Sequence, residues 1–453
     1  MRILTLAVVA IVFAMAPASA AEKCLTGTAT LADQRALASL RTATETACPC
    51  ASFTGAAGAT ARAYQKCASA VLKNAVAAGD LRKECKKTAN SINKGAVCGS
   101  TKVACGRFAP ASKRPLSCRP KKASSCKDAK KFEENACAAQ THCADVVDWT
   151  ASTCVDVRAS GPFAAGVRVV RFTKPSVVNP SQSRVLDTVV WYPAAAGAEP
   201  LDPAYNAVLN APLDDSGAPY PLLMFSHGSC GFPTQSNFIL PSLASHGFIV
   251  AAPPHPGNTI LEYPSCGTLQ AEGMSAVERP QDILFVLNGL LAATLDQTSP
   301  FFGAIDANRL GMSGHSFGGY TTYVATSLEP RFKAALPMAP FVGNAPALTI
   351  PSLTMYAQVD SYVSNDTVLA TYANGSVPKH LVEILNAGHF AFSDGCFPSP
   401  DCNPPTTLTQ DEAHDAVRRW VLPFLEVYLA GDTSFAPFLA PISGPGFVFE
   451  QAH

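Results

Sequence analysis

The segment Gly314-His315-Ser316-Phe317-Gly318-Gly319 is the part of this chain best suited to covalent chemistry. Glycines two residues either side of a serine let a strand turn sharply into a helix and present the hydroxyl at the turn. A short apolar run precedes Gly314, and Tyr320 to Leu328 can form the following helix. A serine alone is a poor nucleophile at neutral pH. It needs a base, and the base needs an orienting carboxylate. In a turn of this kind the three follow in the chain order Ser, acid, His. Asp360 closes the run Tyr356-Ala357-Gln358-Val359-Asp360, and His389 lies in Asn386-Ala387-Gly388-His389-Phe390. Each falls just past the C-terminal end of an expected strand, where sites on open α/β sheets form. Asp366 and Asp394 are the rival carboxylates, and His315 is expected to point into the protein.

Acyl transfer also needs donors for a tetrahedral oxyanion. The Phe317 N–H, directly after the nucleophile, is the first candidate. The second is expected from the loop Ser226-His227-Gly228-Ser229-Cys230-Gly231, and is assigned to the Ser229 N–H. Gly228 would let that backbone approach closely. Phe341, Tyr362 and Phe390, with the Phe317 ring, are candidates for an acyl-binding pocket, although plain core packing accounts for each equally well. This chemistry calls for no cofactor and no metal.

The pattern from about Val167 onward supplies elements to position these groups. Gly166 to Phe172, Val185 to Tyr192, Leu222 to Ser226, Gly247 to Ala252, Arg309 to Met312, Lys333 to Met338, Ser352 to Ala357 and His380 to Leu385 read as strands. Asn237 to His246, Ala276 to Ala293 and Thr409 to Ala430 read as helices, the second with Ile283, Val286, Leu287 and Leu290 on one face. Alternation of this kind predicts an α/β fold with a doubly wound, mostly parallel sheet.

These residues together resemble the α/β-hydrolase superfamily. Within it they are most similar to the predicted dienelactone-hydrolase and platelet-activating-factor acetylhydrolase group, which neighbours the cutinase-like polyester hydrolases. The matching pieces are Phe225-Ser226-His227-Gly228, His255-Pro256-Gly257-Asn258-Thr259, Arg279-Pro280 with Asp282, Gly314 to Gly319, the Asp360 run, and His389 with Phe392-Ser393-Asp394. The resemblance covers about 167–430. It implies a metal-free carboxylesterase using Ser316, Asp360 and His389 on a small-molecule or polymer ester. The chain differs from true dienelactone hydrolases, whose nucleophile is a cysteine, and carries Phe317 where polyester hydrolases commonly place Met.

The rest of the chain bounds where such an enzyme would work. Arg2, the apolar stretch Ile3 to Met15 and Ala18-Ser19-Ala20 read as a cleaved secretory signal over 1–20, placing the protein outside the cell or in the periplasm. No later run is long and apolar enough for a transmembrane segment. Of 16 cysteines, twelve lie between Cys24 and Cys154; the others are Cys230, Cys266, Cys396 and Cys402. Even numbers in each part predict disulfides, with Cys230–Cys266 and Cys396–Cys402 framing the site.

Charge divides the chain in the same place. Residues 22–158 carry 22 Lys and Arg against 11 Asp and Glu, whereas 159–453 carry 11 against 23. Residues 21–158 therefore read as a small, basic, Cys-rich, mainly helical domain with a short linker near 156–165, and 159–453 as the catalytic domain. Leu31 to Thr44 and Ala61 to Asn93 carry helical patterns, the latter broken at Gly79-Asp80; Cys98 to Lys131 is Lys/Pro/Ser-rich with little core material. The basic domain is either a disulfide-locked spacer or a module for an anionic surface. The overall balance of 34 acidic and 34 basic residues on its face excludes a polybasic nucleic-acid binder, but it conceals two oppositely charged halves. Two rival functions remain open: a serine peptidase or amidase of the same fold, and a non-catalytic envelope-binding protein.

Overall fold

The computed structural model describes residues 23–24, 30–108, 115–127, 129, 133–137, 143, 161–195, 200–396, 408–439, 443–444 and 447–452. The expected signal over 1–20 and the first half of the expected linker lie outside these residues, as does Cys402 with its expected pairing to Cys396.

Strands β4 (Ala164–Pro175), β5 (Ser183–Ala194), β6 (Leu201–Asp202), β7 (Ala207–Leu209), β8 (Tyr220–Ser226), β9 (Ile249–Ala252), β10 (Ile305–His315), β11 (Phe332–Met338), β12 (Ser352–Ala357), β13 (Lys379–Ile384), β14 (Ser443–Gly444) and β15 (Phe447–Ala452) form one sheet. Its order is β14-β15-β13-β12-β11-β10-β8-β9-β5-β4-β7-β6. The six strands β13, β12, β11, β10, β8 and β9 run parallel, and antiparallel pairs flank them at β9–β5 and β13–β15. Every residue of β8, β9, β12 and β13 is buried. Strands covered on both faces favour continuous apolar runs over alternation, as in β8 and β9; β13 instead buries Lys379, His380 and Glu383 among its apolar residues.

Helices cover the two faces. Helix α4 (Leu240–Ser245) and helix α8 (Gln410–Leu425) contribute Leu240, Leu243, Val417, Trp420, Val421 and Phe424 to one core. Helix α5 (Leu269–Ala293) buries Ile283, Val286, Leu287 and Leu290 in the other, where α6 (Phe317–Leu328) adds Ala325. The apolar stripe expected on α5 is the stripe that packs. Its first turn starts seven residues earlier than expected because the Thr268 side chain caps it by accepting from the Ala271 N–H. Helix α8 ends in a π-helical turn over Glu426–Ala430.

In the N-terminal part, α1 (Thr30–Ala47), α2 (Ala61–Ala78) and α3 (Lys86–Asn93) occupy the expected helical stretches, and Gly79 ends α2 at φ 87°. Leu37, Leu40, Leu72, Leu81 and Ala89 pack around the Cys24–Cys85 disulfide, and Cys48–Cys67 and Cys50–Cys98 add further ties. The Lys/Pro/Ser-rich stretch carries more regular structure than expected. It holds β1 (Val103–Phe108) and β2 (Pro115–Lys121), which with β3 (Glu133–Cys137) form a small antiparallel sheet. Arg107 of β1 and Lys121 of β2 both pair with the buried Glu134 of β3, at 2.8 and 2.6 Å. The Cys105–Cys126 and Cys118–Cys143 bonds supply what the missing apolar core would otherwise provide.

Among the described residues, no helix is long and apolar enough to cross a membrane. Among those same described residues the one group with metal-ligand spacing is Cys24, Asp33 and Cys85. Its two thiols are joined to each other, and its carboxylate is engaged by Arg82 at 2.6 and 2.7 Å.

Candidate active site

The strand β10 runs into α6 through Ser316, whose backbone sits at φ 56°, ψ −116°. A side chain held at positive φ outside glycine is strained, and the surroundings must enforce it. The Ser316 N–H donates to the Met338 carbonyl at 2.9 Å, and the Ser316 carbonyl accepts from Gly319 and Phe341 at 2.9 and 3.0 Å. The glycines are required by space: a Cβ on Gly314 would collide with the Gly318 carbonyl, and one on Gly318 with the Ser226 carbonyl. A Cβ on Gly319 would lie 2.6 Å from the Pro340 side chain.

Loops after β12 and β13 bring up the other two groups. His389 donates from Nδ1 to Asp360 Oδ2 at 2.8 Å, and both side chains are buried. Asp360 Oδ1 accepts the Tyr362 and Val363 N–H groups, each at 2.8 Å, so its carboxylate is held from both sides. The rival Asp366 is exposed on α7 (Asn365–Ala373). The other rival, Asp394, accepts from the Asn237 and Phe238 N–H groups. Burial pushes Asp394 up to about 6 against those hydrogen bonds.

Ser316 and His389 line one cavity of about 290 Å³, together with Gly228, Ser229, Phe232, Tyr362 and Phe390. The Phe317 N–H stands at the first position of α6, where a helix has no internal acceptor. Ser229 lines the cavity, and Gly228 packs beside Ser316, an added Cβ there falling 3.5 Å from the serine Cβ. The Tyr362 ring is 59% exposed and lies 5.1 Å from the His389 ring and 5.3 Å from Phe390. Phe341, 50% exposed, sits edge-on to Phe317 at 6.3 Å and is not among the residues lining the cavity. Cys230 and Cys266 are joined, tying the Ser229 loop to the segment after His255.

Several supporting residues escaped the sequence reading. The Gly228 N–H donates to Gln235 Oε1 at 2.8 Å, Gln235 Nε2 donates to His315 Nδ1 at 3.0 Å, and His315 Nε2 donates to the His389 carbonyl at 3.0 Å. This relay joins the Ser229 loop to the His389 loop behind the serine. Burial, and then the nearby His389, hold His315 well below the ordinary histidine range, so it stays neutral and can both accept and donate. Glu272 also lines the cavity and accepts from the Ser229 hydroxyl at 3.2 Å. Nothing in the spacing of Gln235 or Glu272 pointed to either.

A second set repeats the hydrogen-bond pattern of a catalytic triad. Ser226 Oγ pairs with His255 Nε2 at 2.9 Å, and His255 Nδ1 with Asp282 Oδ2 at 3.0 Å. All three residues are fully buried, so no substrate reaches them. The geometry distinguishes a set that opens on a cavity from one that braces the interior.

The PET hydrolase-like family model matches residues 215–442, just over half of the chain. The chain belongs to the PET hydrolase-like family. The matched span contains Ser229, Ser316, Asp360 and His389 and leaves the N-terminal part outside. Within curated proteins, platelet-activating factor acetylhydrolase of Cavia porcellus is 26% identical over 269 residues, covering 50% of this chain and 61% of that protein. The bis(hydroxyethyl) terephthalate hydrolase of Streptomyces coelicolor is 24% identical, covering 53% and 67%. Cutinase est1 of Thermobifida alba is 30% identical over 177 residues, covering 38% and 54%. The chain thus spans between about half and two thirds of these relatives' lengths. The solved ferulic acid esterase from Streptomyces cinnamoneus shares the fold, with a TM-score of 0.53 at 21% identity over 65% of this chain and 99% of that one.

Membership of this family makes the Cys230–Cys266 bond a useful target, because it ties a site loop that hydrogen bonds alone could also hold. Closing a loop of 36 residues by a disulfide is worth about 3–4 kcal/mol on the chain-entropy account. The Cys230→Ser, Cys266→Ser double variant is therefore expected to melt roughly 5 °C lower in differential scanning calorimetry. An unchanged melting temperature would show that the loop is held without it.

Proposed function

We propose that the protein is an exported serine hydrolase of carboxylic esters, with Ser316, His389 and Asp360 as its triad. Ser316 Oγ attacks the ester carbonyl while His389 takes its proton and passes it to the leaving alcohol. Asp360 fixes the His389 tautomer and stabilises the imidazolium. The Phe317 and Ser229 N–H groups bind the tetrahedral oxyanion. Water, deprotonated by His389, then releases the acyl group. The observation that carries this reading is the buried Asp360–His389 pair opening on the same cavity as a serine held at φ 56°.

Substrates follow from chemistry and kinship. Tyr362 and Phe390 offer aromatic faces in the cavity, which suit an acyl or aromatic acid. The relatives' names, an acetylhydrolase, a bis(hydroxyethyl) terephthalate hydrolase and a cutinase, support lipid-like, short-acyl or polyester substrates. Export is supported by the leader-like residues 1–20 and by six disulfides among the described residues. The division into a basic domain over 21–158 and a catalytic domain over 159–453 belongs to the same proposal. Lys66, Lys73, Lys83, Lys86 and Lys87 are exposed on the basic part and would suit an anionic surface.

The test is turnover by the oxidised, leaderless protein on p-nitrophenyl esters from acetate to long acyl chains, on bis(hydroxyethyl) terephthalate and on a polyester film. Labelling by a fluorophosphonate probe is measured beside it. Labelling with ester turnover is the expected result, and the chain-length profile then sizes the pocket. The absence of both labelling and turnover would overturn the reading. Labelling without ester turnover would move the substrate to amides.

A further inference from the structure

We infer that Arg279 is a positioning residue for the oxyanion hole, orienting the Gly228–Ser229 peptide on one side and bracing Phe317 on the other. The inference rests on the ester-hydrolase reading above and assigns the group that aims its two donors.

Arg279 lies on α5, distant in sequence from every residue it serves, and its side chain is fully buried. Its guanidinium donates from Nη1 to the His227 carbonyl at 2.5 Å and from Nη2 to the Gly228 carbonyl at 2.8 Å. Nη2 also donates to Asn258 Oδ1 at 2.5 Å. On the other side, Cζ stands 4.7 Å from the centroid of the Phe317 ring. One planar cation thus meets the Phe317 ring and the carbonyl of the peptide that carries the Ser229 N–H.

The orientation follows from peptide geometry. The Gly228–Ser229 bond is trans, and in a trans peptide the C=O and the next N–H point in opposite directions. The Gly228 carbonyl is turned toward the interior, where it accepts from Arg279, from His227 Nδ1 at 2.8 Å and from the Gly231 N–H at 3.1 Å. The Ser229 N–H must therefore point the other way, and Ser229 lines the cavity on that side. A flipped peptide would present a carbonyl to the oxyanion and lose the donor. Three donors to one carbonyl oppose that flip, and Arg279 is the charged one, which makes it the strongest.

The guanidinium is fixed in turn. Asn258 accepts from it, and donates from Nδ2 to the Cys266 carbonyl at 2.7 Å and to Ser229 Oγ at 3.2 Å. Arg279 meets no carboxylate within hydrogen-bond distance, because Asp282 is taken by His255, Arg184 and Lys174. Its burial pulls the guanidinium down to about 9, leaving it charged at neutral pH. Its remaining contacts, with Ser226 Oγ and His227 Nδ1, are longer at 3.4 Å each, so the buried charge is compensated chiefly by the two loop carbonyls and the Asn258 amide.

The experiment compares full-length wild type with Arg279→Lys, Arg279→Gln and Asn258→Ala, and uses Lys174→Met as a control. Lys174 bonds only Glu278 and Asp282 and reaches neither oxyanion donor. Active sites are titrated with a fluorophosphonate, so that kcat is expressed per competent site. Affinity for a phenylboronic acid, which adds to the serine as a tetrahedral anion, is measured beside KM for a short p-nitrophenyl ester. Loss of an aimed donor is expected to lower kcat about 100-fold, with KM nearly unchanged and boronate affinity falling in parallel. Lysine keeps the charge but cannot span both carbonyls, so Arg279→Lys should resemble Arg279→Gln. Lys174→Met should lower the melting temperature without changing kcat per site.

If the Arg279 variants melt lower yet keep wild-type kcat and boronate affinity per site, the inference is overturned and Arg279 is a packing residue only. Should they fail to fold, Asn258→Ala decides: a loss of kcat about 10-fold at constant KM is expected, and an unchanged kcat overturns the inference. A wild type that neither turns over esters nor reacts with the probe overturns the hydrolase reading, and this inference with it.

Discussion

Ser316→Ala is expected to lower kcat on p-nitrophenyl esters by about 10⁵–10⁶-fold and to abolish fluorophosphonate labelling. The fold should be indifferent to the change. Alanine keeps the Cβ, so the positive φ of this position is no more strained than before, and the backbone bonds to Met338, Gly319 and Phe341 are untouched. What disappears is the oxygen that forms the acyl-enzyme. Residual rate would come from the oxyanion donors acting on water, which is why the loss is large but finite. A melting temperature equal to wild type, measured on the same preparation, separates lost chemistry from lost structure. A variant that kept wild-type turnover would move the nucleophile elsewhere.

Asp360→Asn is expected to cost about 10⁴-fold in kcat near neutral pH, and the geometry explains why so isosteric a change does so much. One carboxylate oxygen is committed to the Tyr362 and Val363 N–H groups, so the amide oxygen of asparagine must take that place. The NH₂ group is then left facing His389 Nδ1 at the former 2.8 Å contact. Two donors cannot meet there, so Nδ1 must become the acceptor and the ring proton moves to Nε2. That tautomer cannot receive the proton of Ser316. The same exchange at Asp394, whose partners are the Asn237 and Phe238 amides, should leave kcat per folded molecule near wild type. A steady-state comparison of the two variants assigns the orienting carboxylate; a larger loss at Asp394 than at Asp360 would reverse it.

Much of the site was legible along the chain because its chemistry is local. The elbow is a six-residue turn whose glycines answer to contacts with its own neighbours, Gly314 against Gly318 above all. Strands such as β8 and β9 announce themselves as buried apolar runs, and α5 by its period. Chain order with strand ends then placed Asp360 and His389. The pairing of Cys230 with Cys266 could be expected because both flank the same rim.

Other features depend on parts of the chain that only folding brings together. The sequence could prefer Asp360 over Asp366 and Asp394 only by its place after a strand; that its carboxylate meets His389, while that of Asp394 meets the Asn237 and Phe238 N–H groups, is a matter of tertiary structure. The strands β14 and β15 pair with β13 from the far end of the chain, and no local pattern marked them. Gln235 and Arg279 are an ordinary amide and an ordinary helical cation in sequence. Their roles arise because β8, β10 and the N-terminal half of α5 converge behind Ser316, across separations of 80 and 51 residues. A periodic pattern reports which face of an element is buried. It carries no information on which buried polar group meets which carbonyl, because hydrogen bonds are directional and are settled by the relative placement of whole elements.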